Sequence, residues 1–298
     1  MFKPYGIIPA LVTPLDENGN LLEEALRRVI NYTIAGGVHG VFILGTTGEL
    51  YGLDWEVKKR AIEITVEETA GRVPVYAGAG EITTRDCIKL VKLAESIGGV
   101  AAVSVLTPYF ATPNQEELKA HYTAIAAATE LPVILYGNPP RTNVHLSPAL
   151  VAALAKIDNI VGIKDSSGDM TTMGEYIRLT KQEEFNVLAG RDTLILANLA
   201  YGGTGAIAAT ANIVPALVAD IYNSFMDGDY QAAREAQFRL APLRIAFGLG
   251  SYPVVLKEAL RMVGIDPGHT LAPVGPLSEE NRQKLANIIR ELGVYQIM

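Results

Sequence analysis

The chain is short of cysteine, of long apolar runs and of basic charge, and each shortage closes off a class of protein. One cysteine, Cys87, in 298 residues cannot build a disulfide framework, so a reducing compartment is expected. No apolar run reaches the roughly 18 residues that a membrane span requires, so no membrane partner is expected. Met1-Phe-Lys-Pro-Tyr leads directly into a strand-like segment, which does not resemble a signal peptide. A cytoplasmic protein is the default expectation. The 25 Lys and Arg against 32 Asp and Glu leave a net charge of −7, which speaks against a nucleic-acid footprint. His39, His121, His145 and His269 are scattered, with no HExxH and no paired ligand spacing, so no metal is expected. No G-x-S-x-G elbow or P-loop occurs, and Cys87 has no evident base partner. Gly203-Thr-Gly205-Ala-Ile-Ala208 matches a dinucleotide fingerprint in letters only, because it precedes and overlaps a strand.

What is present is a globular composition, 49% apolar and 19% charged, with enough material for a sizeable core. Strand-like and helix-like segments alternate. The strands are expected at 6–12, 41–44, 73–77, 101–105, 132–136, 160–164, 185–189 and 205–208. The helices that follow them are expected at 22–35, 54–69, 84–96, 115–129, 148–155, 170–179, 193–201 and 214–226, with Asp54 as an N-cap. Short apolar strands joined through helices point to a parallel sheet. Eight such units close a (β/α)8 TIM barrel. A doubly wound open sheet is the competitor, but it would carry a glycine fingerprint after its first strand, where Thr13-Pro-Leu-Asp-Glu-Asn-Gly stands instead. Three further helical stretches, 230–247, 252–262 and 278–292, form a tail, the last opened by Ser278-Glu-Glu-Asn as a cap. The expected organisation is a catalytic barrel over 1–228 and a C-terminal helical extension over 229–298.

A barrel gathers its chemistry where its strands end. The sixth strand, Ile160-Val-Gly-Ile-Lys164, is apolar and β-branched yet closes on an amine. Lysine is rarely buried, and desolvation disfavours an ammonium, leaving a nucleophile able to condense with a keto acid. Taken alone, Lys164 reads first as a side chain snorkelling into solvent, and it is the rest of the sequence that reverses this. Tyr136 closes the neighbouring strand and could shuttle protons, or merely pack at the rim. Gly45-Thr46-Thr47-Gly48-Glu49 could hold a carboxylate on its N–H groups and hydroxyls, or be an ordinary capped turn. Arg141, in a proline-rich loop, could fork onto a carboxylate or sit in solvent. Asp192, after Gly190 and Arg191, reads as a helix N-cap.

Gly45-Thr-Thr-Gly-Glu49, Leu135-Tyr-Gly-Asn-Pro-Pro-Arg-Thr142 and Gly162-Ile-Lys-Asp165, in that order and spacing, resemble the motifs of the dihydrodipicolinate synthase / N-acetylneuraminate lyase family, and the resemblance covers essentially the whole chain. It implies a barrel with a helical extension, assembled as a homotetramer that is a dimer of dimers. It implies that Lys164 forms a Schiff base with pyruvate or another 2-keto acid, with no cofactor beyond that lysine. Tyr136 and Thr46 would relay protons, and the Thr46-Thr47 turn would bind the pyruvate carboxylate. Ile207 and Gly190 would line the pocket, and Arg141 would hold the carboxylate of an aldehyde partner. Within that family the match at Arg141 favours dihydrodipicolinate synthase, which condenses pyruvate with aspartate semialdehyde.

The chain also departs from that pattern. Gly48-Glu-Leu-Tyr-Gly-Leu53 replaces Gly-Glu-Ser-Ala-Thr-Leu, Gly137 and Asn143 stand where Asn and Gly are common, and 250–257 lacks the familiar Asn-Pro-Ile-Pro-Val-Lys. Phe110 replaces the second aromatic of Pro-Tyr-Tyr, which in the family reaches the neighbouring subunit's site beside the residue matching Tyr109. Phenylalanine cannot carry a proton. The departures at Phe110 and over Gly48–Leu53 favour a second expectation, a 2-keto-3-deoxy sugar-acid aldolase or dehydratase. A third, from another class, is a barrel that binds keto acids without turning them over. Trp55 and Ile82 stand where lysine-inhibited synthases carry polar ligands, so no inhibition by lysine is expected.

Overall fold

Apolar strands covered on both faces suit a parallel sheet, and eight of them form one here. In the computed structural model, which describes residues 2–296, the strands are β1 Gly6–Pro9, β2 Val41–Ile43, β3 Val75–Gly78 and β4 Val100–Leu106. They continue with β5 Val133–Gly137, β6 Ile160–Asp165, β7 Asn186–Ala189 and β8 Gly205–Ala208. Neighbours pair in the order β1-β8-β7-β6-β5-β4-β3-β2. A parallel bridge from Ala10 to Phe42 joins the two ends of that order into a ring. The result is a (β/α)8 barrel.

Around it run α1 Glu23–Ala35, α2 Trp55–Thr69, α3 Thr84–Ile97, α4 Gln115–Ala126, the short α5 Pro139–Thr142 and α6 Pro148–Leu154. The ring is completed by α7 Met170–Thr180, α8 Ile195–Tyr201 and α9 Pro215–Met226. Apart from the short α5, these helices turn apolar residues inward. In α3 the buried positions Cys87, Leu90, Val91 and Ala94 recur at helical spacing, and the Thr83 side chain caps the start by accepting from the Asp86 N–H. In α4, Asn114 and Glu117 form a reciprocal capping box.

Every strand sends a residue into the barrel interior: Ile8, Phe42, Tyr76, Ala102, Ile134, Val161, Leu188 and Ile207. Large Tyr76 and Phe42 are balanced by small Ala102 and Ala10, so the interior is a filled core and not a channel. This plug is the floor on which the polar strand ends stand. Replacing Phe42 by Ala would leave a cavity costing about 3–5 kcal/mol.

The extension comprises α10 Tyr230–Ile245, α11 Val254–Met262 and α12 Glu279–Glu291. Ser278 caps α12 as its sequence predicts, accepting from the Asn281 N–H. Elsewhere the expectations need correction. β1 ends at Pro9, short of residue 12, because the Val12 N–H is taken by the Asn212 side chain at 3.1 Å. Asp54 holds the N-cap position of α2, yet its side chain makes no capping hydrogen bond. Arg141 lies on a helical turn, α5, that the proline-rich sequence reads as loop. The stretch expected as one helix to residue 247 leaves α-geometry after Ile245, tightening into a 3₁₀ turn over Ala246–Leu249.

Candidate active site

Strand register decides which side chains meet. A slip in the β5–β6 pairing at Val133/Ile134 puts Gly162 opposite Ile134, and Tyr136 opposite Lys164. Both side chains are 4% exposed. The Lys164 ammonium nitrogen, Nζ, lies 4.1 Å from the centre of the Tyr136 ring and 5.1 Å from that of Phe42. The amine is therefore held among aromatic faces at the top of the interior plug, not in bulk water.

The Tyr136 hydroxyl is 3.2 Å from Thr46 Oγ1 and accepts from Asn138 Nδ2 at 3.1 Å. Burial by itself pushes this phenol up. The positive charge of Lys164 and then the hydrogen bond with Thr46 outweigh burial, so the phenol is held below its ordinary value.

Thr46 and Thr47 sit in a tight turn after β2. Leu44 and Glu49, on either side of it, adopt the left-handed conformation, with φ of 59° and 57°. The turn is closed by Gly48 N–H to Gly45 O at 3.0 Å and Glu49 N–H to Thr46 O at 3.2 Å. At Gly45 a β-carbon would fall 2.6 Å from the Phe42 ring, so glycine is required. Thr13 Oγ1 donates to Gly48 O at 2.7 Å and ties the turn to the segment that follows β1.

The extension completes the turn from the other side. Lys257 of α11 and Glu49, 1% and 0% exposed, form an ion pair at 2.7 Å that is not aligned as a hydrogen bond. The Leu271 N–H donates to the other Glu49 oxygen at 2.8 Å, and Lys257 donates to the His269 carbonyl. Burial pushes the Lys257 amine below its ordinary value, and the attraction of Glu49 works against that. The Tyr252 hydroxyl lies 2.5 Å from Thr47 Oγ1. Burial pushes its phenol up, with the Thr47 hydrogen bond opposing.

A cavity of about 510 Å³ opens above Lys164, walled by Tyr136, Thr46, Thr47, Arg141, Gly190, Ile207 and Tyr252 among others. The predicted site residues Lys164, Tyr136, Thr46, Thr47, Arg141, Gly190 and Ile207 thus come together. Ile207 is 1% exposed, and Gly190 is confined, since a β-carbon there would fall 2.1 Å from Ser166 Oγ. Arg141 projects from α5 with its guanidinium 5.3 Å from the Tyr252 ring centre, and no carboxylate pairs with it among the described residues. Tyr109 lies apart, in a second and more apolar cavity that shares the Thr46–Arg141–Tyr252 wall. Burial pushes its phenol up to about 12. Phe110 lines neither cavity; it is 95% exposed, with a φ of 71°.

Asp192 is not an N-cap. It is 1% exposed and accepts from the Thr210 N–H at 2.7 Å and the Ala209 N–H at 3.4 Å, latching the end of β8 to that of β7. Sequence reasoning missed Tyr252, Arg191 and Arg244, which all line the cavity. Arg191 stood at a strand end, where it could have been noticed. Tyr252 and Arg244 come from the extension, and no barrel rule points to them.

Comparison with known proteins agrees with this geometry. Residues 3–292 match the model of the dihydrodipicolinate synthetase family. The chain is 39% identical over 292 residues to the 4-hydroxy-tetrahydrodipicolinate synthase of Methanothrix thermoacetophila, covering 98% of this chain and 97% of that protein. Dihydrodipicolinate synthase from Thermotoga maritima superposes with a TM-score of 0.95 at 33% identity, covering 98% and 100% of the two chains. YagE, an E. coli K12 prophage protein of the dihydrodipicolinic acid synthase family solved with pyruvate, gives 0.93 at 31% identity, covering 97% and 99%. With likeness running from end to end in both sequence and fold, the chain belongs to the dihydrodipicolinate synthetase family.

Proposed function

We propose that the protein is a Schiff-base-forming, pyruvate-dependent aldolase that acts as a 4-hydroxy-tetrahydrodipicolinate synthase, condensing pyruvate with aspartate semialdehyde. The observation that carries this is the buried Lys164 amine 4.1 Å from the Tyr136 ring, in a cavity shared with the Thr46–Thr47 turn and Arg141. Neutral Lys164 attacks the ketone carbon of pyruvate, and water leaves to give an imine. Loss of a methyl proton gives the enamine, whose carbon then attacks the aldehyde. Tyr136, with Thr46 on its hydroxyl, supplies and takes back the protons these steps need. Thr47 and the N–H groups of Thr46 and Thr47 hold the pyruvate carboxylate, Ile207 and Gly190 shape the space beside it, and Arg141 takes the carboxylate of the aldehyde. Binding the two reactants in register lowers the barrier by removing translational freedom, by up to about 7–11 kcal/mol in ideal cases. The lysine serves as the only covalent carrier, with no metal or added cofactor.

The same proposal includes assembly as a homotetramer. Its support is exposed apolar surface in two separate places: Tyr51, Ile82 and Phe110 near the barrel mouth, and Met226, Tyr230, Phe238 and Ile245 along α9 and α10. A cytoplasmic location is supported by the lone, buried thiol of Cys87. Among the described residues, no helix is long and apolar enough to cross a membrane.

The test is direct. Pyruvate followed by borohydride should add the mass of one reduced pyruvate adduct per chain, and Lys164→Ala should add none. A barrel that only binds keto acids would show no added mass in the parent protein. A panel of aldehydes offered with pyruvate then decides the acceptor.

A further inference from the structure

The chain is acidic overall, at −7, yet the cavity above its barrel concentrates positive charge. Lys164, Arg141, Arg191 and Arg244 all line the cavity above the barrel, with Asp192 the only carboxylate among its lining residues. Asp192 is already used, because it accepts from two backbone N–H groups and stands 4.0 Å from Arg244 Nε. Arg191 makes no ion pair among the described residues. Two guanidinium groups repel each other, and burial and then the charge of Arg244 both disfavour the charged form of Arg191. Arg244 lies over Phe247, its guanidinium carbon 4.9 Å from the ring centre. Two forked donors lining one cavity, with a single carboxylate near them that is already engaged by backbone N–H groups, match a carboxylate or a phosphate.

Arg141, the residue assigned above to the aldehyde's carboxylate, belongs to α5 and lies against Tyr252. Arg191 follows β7, and Arg244 comes from the last turn of α10. We infer that Arg191 and Arg244 form a second anion subsite, which holds the distal carboxylate or phosphate of an acceptor aldehyde. This rests on the aldolase reading and adds an acceptor class to it. The enamine carbon of pyruvate forms the new bond to the aldehyde carbon, and the aldehyde oxygen takes a proton from Tyr136. Water then cleaves the imine, releasing a 4-hydroxy-2-oxo acid with its anionic tail and restoring Lys164. No electrons are gained or lost overall.

Three acceptors with one carbon skeleton test the subsite: glyceraldehyde, uncharged; tartronate semialdehyde, a carboxylate; and glyceraldehyde 3-phosphate. With pyruvate as donor, kcat/KM should favour one or both charged acceptors over glyceraldehyde by at least tenfold, and the stronger of the two names the anion. In Arg191→Gln and Arg244→Gln that preference should fall by tenfold or more, mostly through KM, with Arg244→Lys keeping part of it. Calorimetry with glycerol 3-phosphate and glycerate reads the same subsite without turnover, and the Gln variants should bind at least tenfold more weakly. Equal kcat/KM for charged and uncharged acceptors, or a preference and affinity that survive both Gln variants, would overturn the subsite. Failure of borohydride to trap pyruvate overturns the aldolase reading instead, and the calorimetry still decides the subsite.

Discussion

The cavity has two halves with different origins. On one side Tyr136 and Lys164 stand on adjacent strands, set level by strand register. On the other, Tyr252 and Arg244 arrive from a helical extension that begins more than 60 residues after β6 ends, with Lys257 buried behind the turn against Glu49. The first half obeys local rules: an apolar strand, a residue at its end, a neighbour one strand over. The second depends on how α10 and α11 fold back over the barrel mouth. The strand half carries the bond-making groups, and the extension half positions the turn that receives the substrate. If that division is right, damage to the two halves should differ in kind.

The largest effect belongs to the strand half. Tyr136→Phe keeps the ring over Lys164 and removes only the hydroxyl shared with Thr46 and Asn138. Turnover should fall by about 10²–10⁴-fold, the usual worth of a positioned acid–base group. Trapping of pyruvate at saturation should persist, though slowly, because the amine is still present. A loss below tenfold would move the proton work to another group.

The extension half should fail first in stability. Lys257→Met leaves the Glu49 carboxylate buried without its cation, a change worth about 3–5 kcal/mol. Denaturant midpoints should drop accordingly, and KM for pyruvate should rise as the Thr46–Thr47 turn loosens. Glu49→Gln paired with Lys257→Met, which removes both charges, should recover part of the loss. If the single variant is as stable as the parent, the extension does not brace the turn.

A third change lies outside both halves and separates general acid sensitivity from the site. His121 in α4 is buried, its Nδ1 2.9 Å from Thr84 Oγ1, its Nε2 without a partner among the described residues. Burial holds this imidazole down at about 4 against an ordinary 6.5. The unfolded chain therefore takes up its proton first. The stability due to neutral His121 is intact above pH 6.5 and is lost as pH falls toward 4, by ~3 kcal/mol at most. His121→Asn should flatten the stability curve between those limits while leaving the losses driven by carboxylates in place. Identical slopes in parent and variant would remove His121 from the acid response.

How much of this was open to sequence reading follows the same division. The eight strands, the barrel and the Lys164–Tyr136 meeting were legible because each rests on periodicity and on what a strand end can reach. Strand lengths were less so: Val12 looks like strand, but a side-chain amide 200 residues away claims its N–H. Asp192 was misread for a related reason, since a local cap and a long-range latch require the same residue type. Tyr252 was passed over altogether. It stands in a stretch that differs from the family pattern, and a departure from a motif does not say where the new side chain points.

Tyr252 also gives the smallest and most discriminating prediction. Its hydroxyl touches Thr47 at 2.5 Å, while its ring carries Arg141 at 5.3 Å. One residue therefore links the pyruvate side of the cavity to the acceptor side. Tyr252→Phe removes the hydroxyl and keeps the ring. It should cost about 1 kcal/mol, or roughly fivefold in kcat/KM for pyruvate, with little change in acceptor KM. Tyr252→Leu removes the ring as well, so the acceptor KM should rise too once Arg141 loses the surface it lies on. Thr47→Val should cost more than Tyr252→Phe, because it also removes a hydroxyl assigned to the pyruvate carboxylate, and combining them should cost no more than Thr47→Val alone, because both break the one hydrogen bond between these residues. Additive losses in the double variant would mean that Thr47 and Tyr252 act separately, and the extension would then touch the substrate turn only through Lys257 and Glu49.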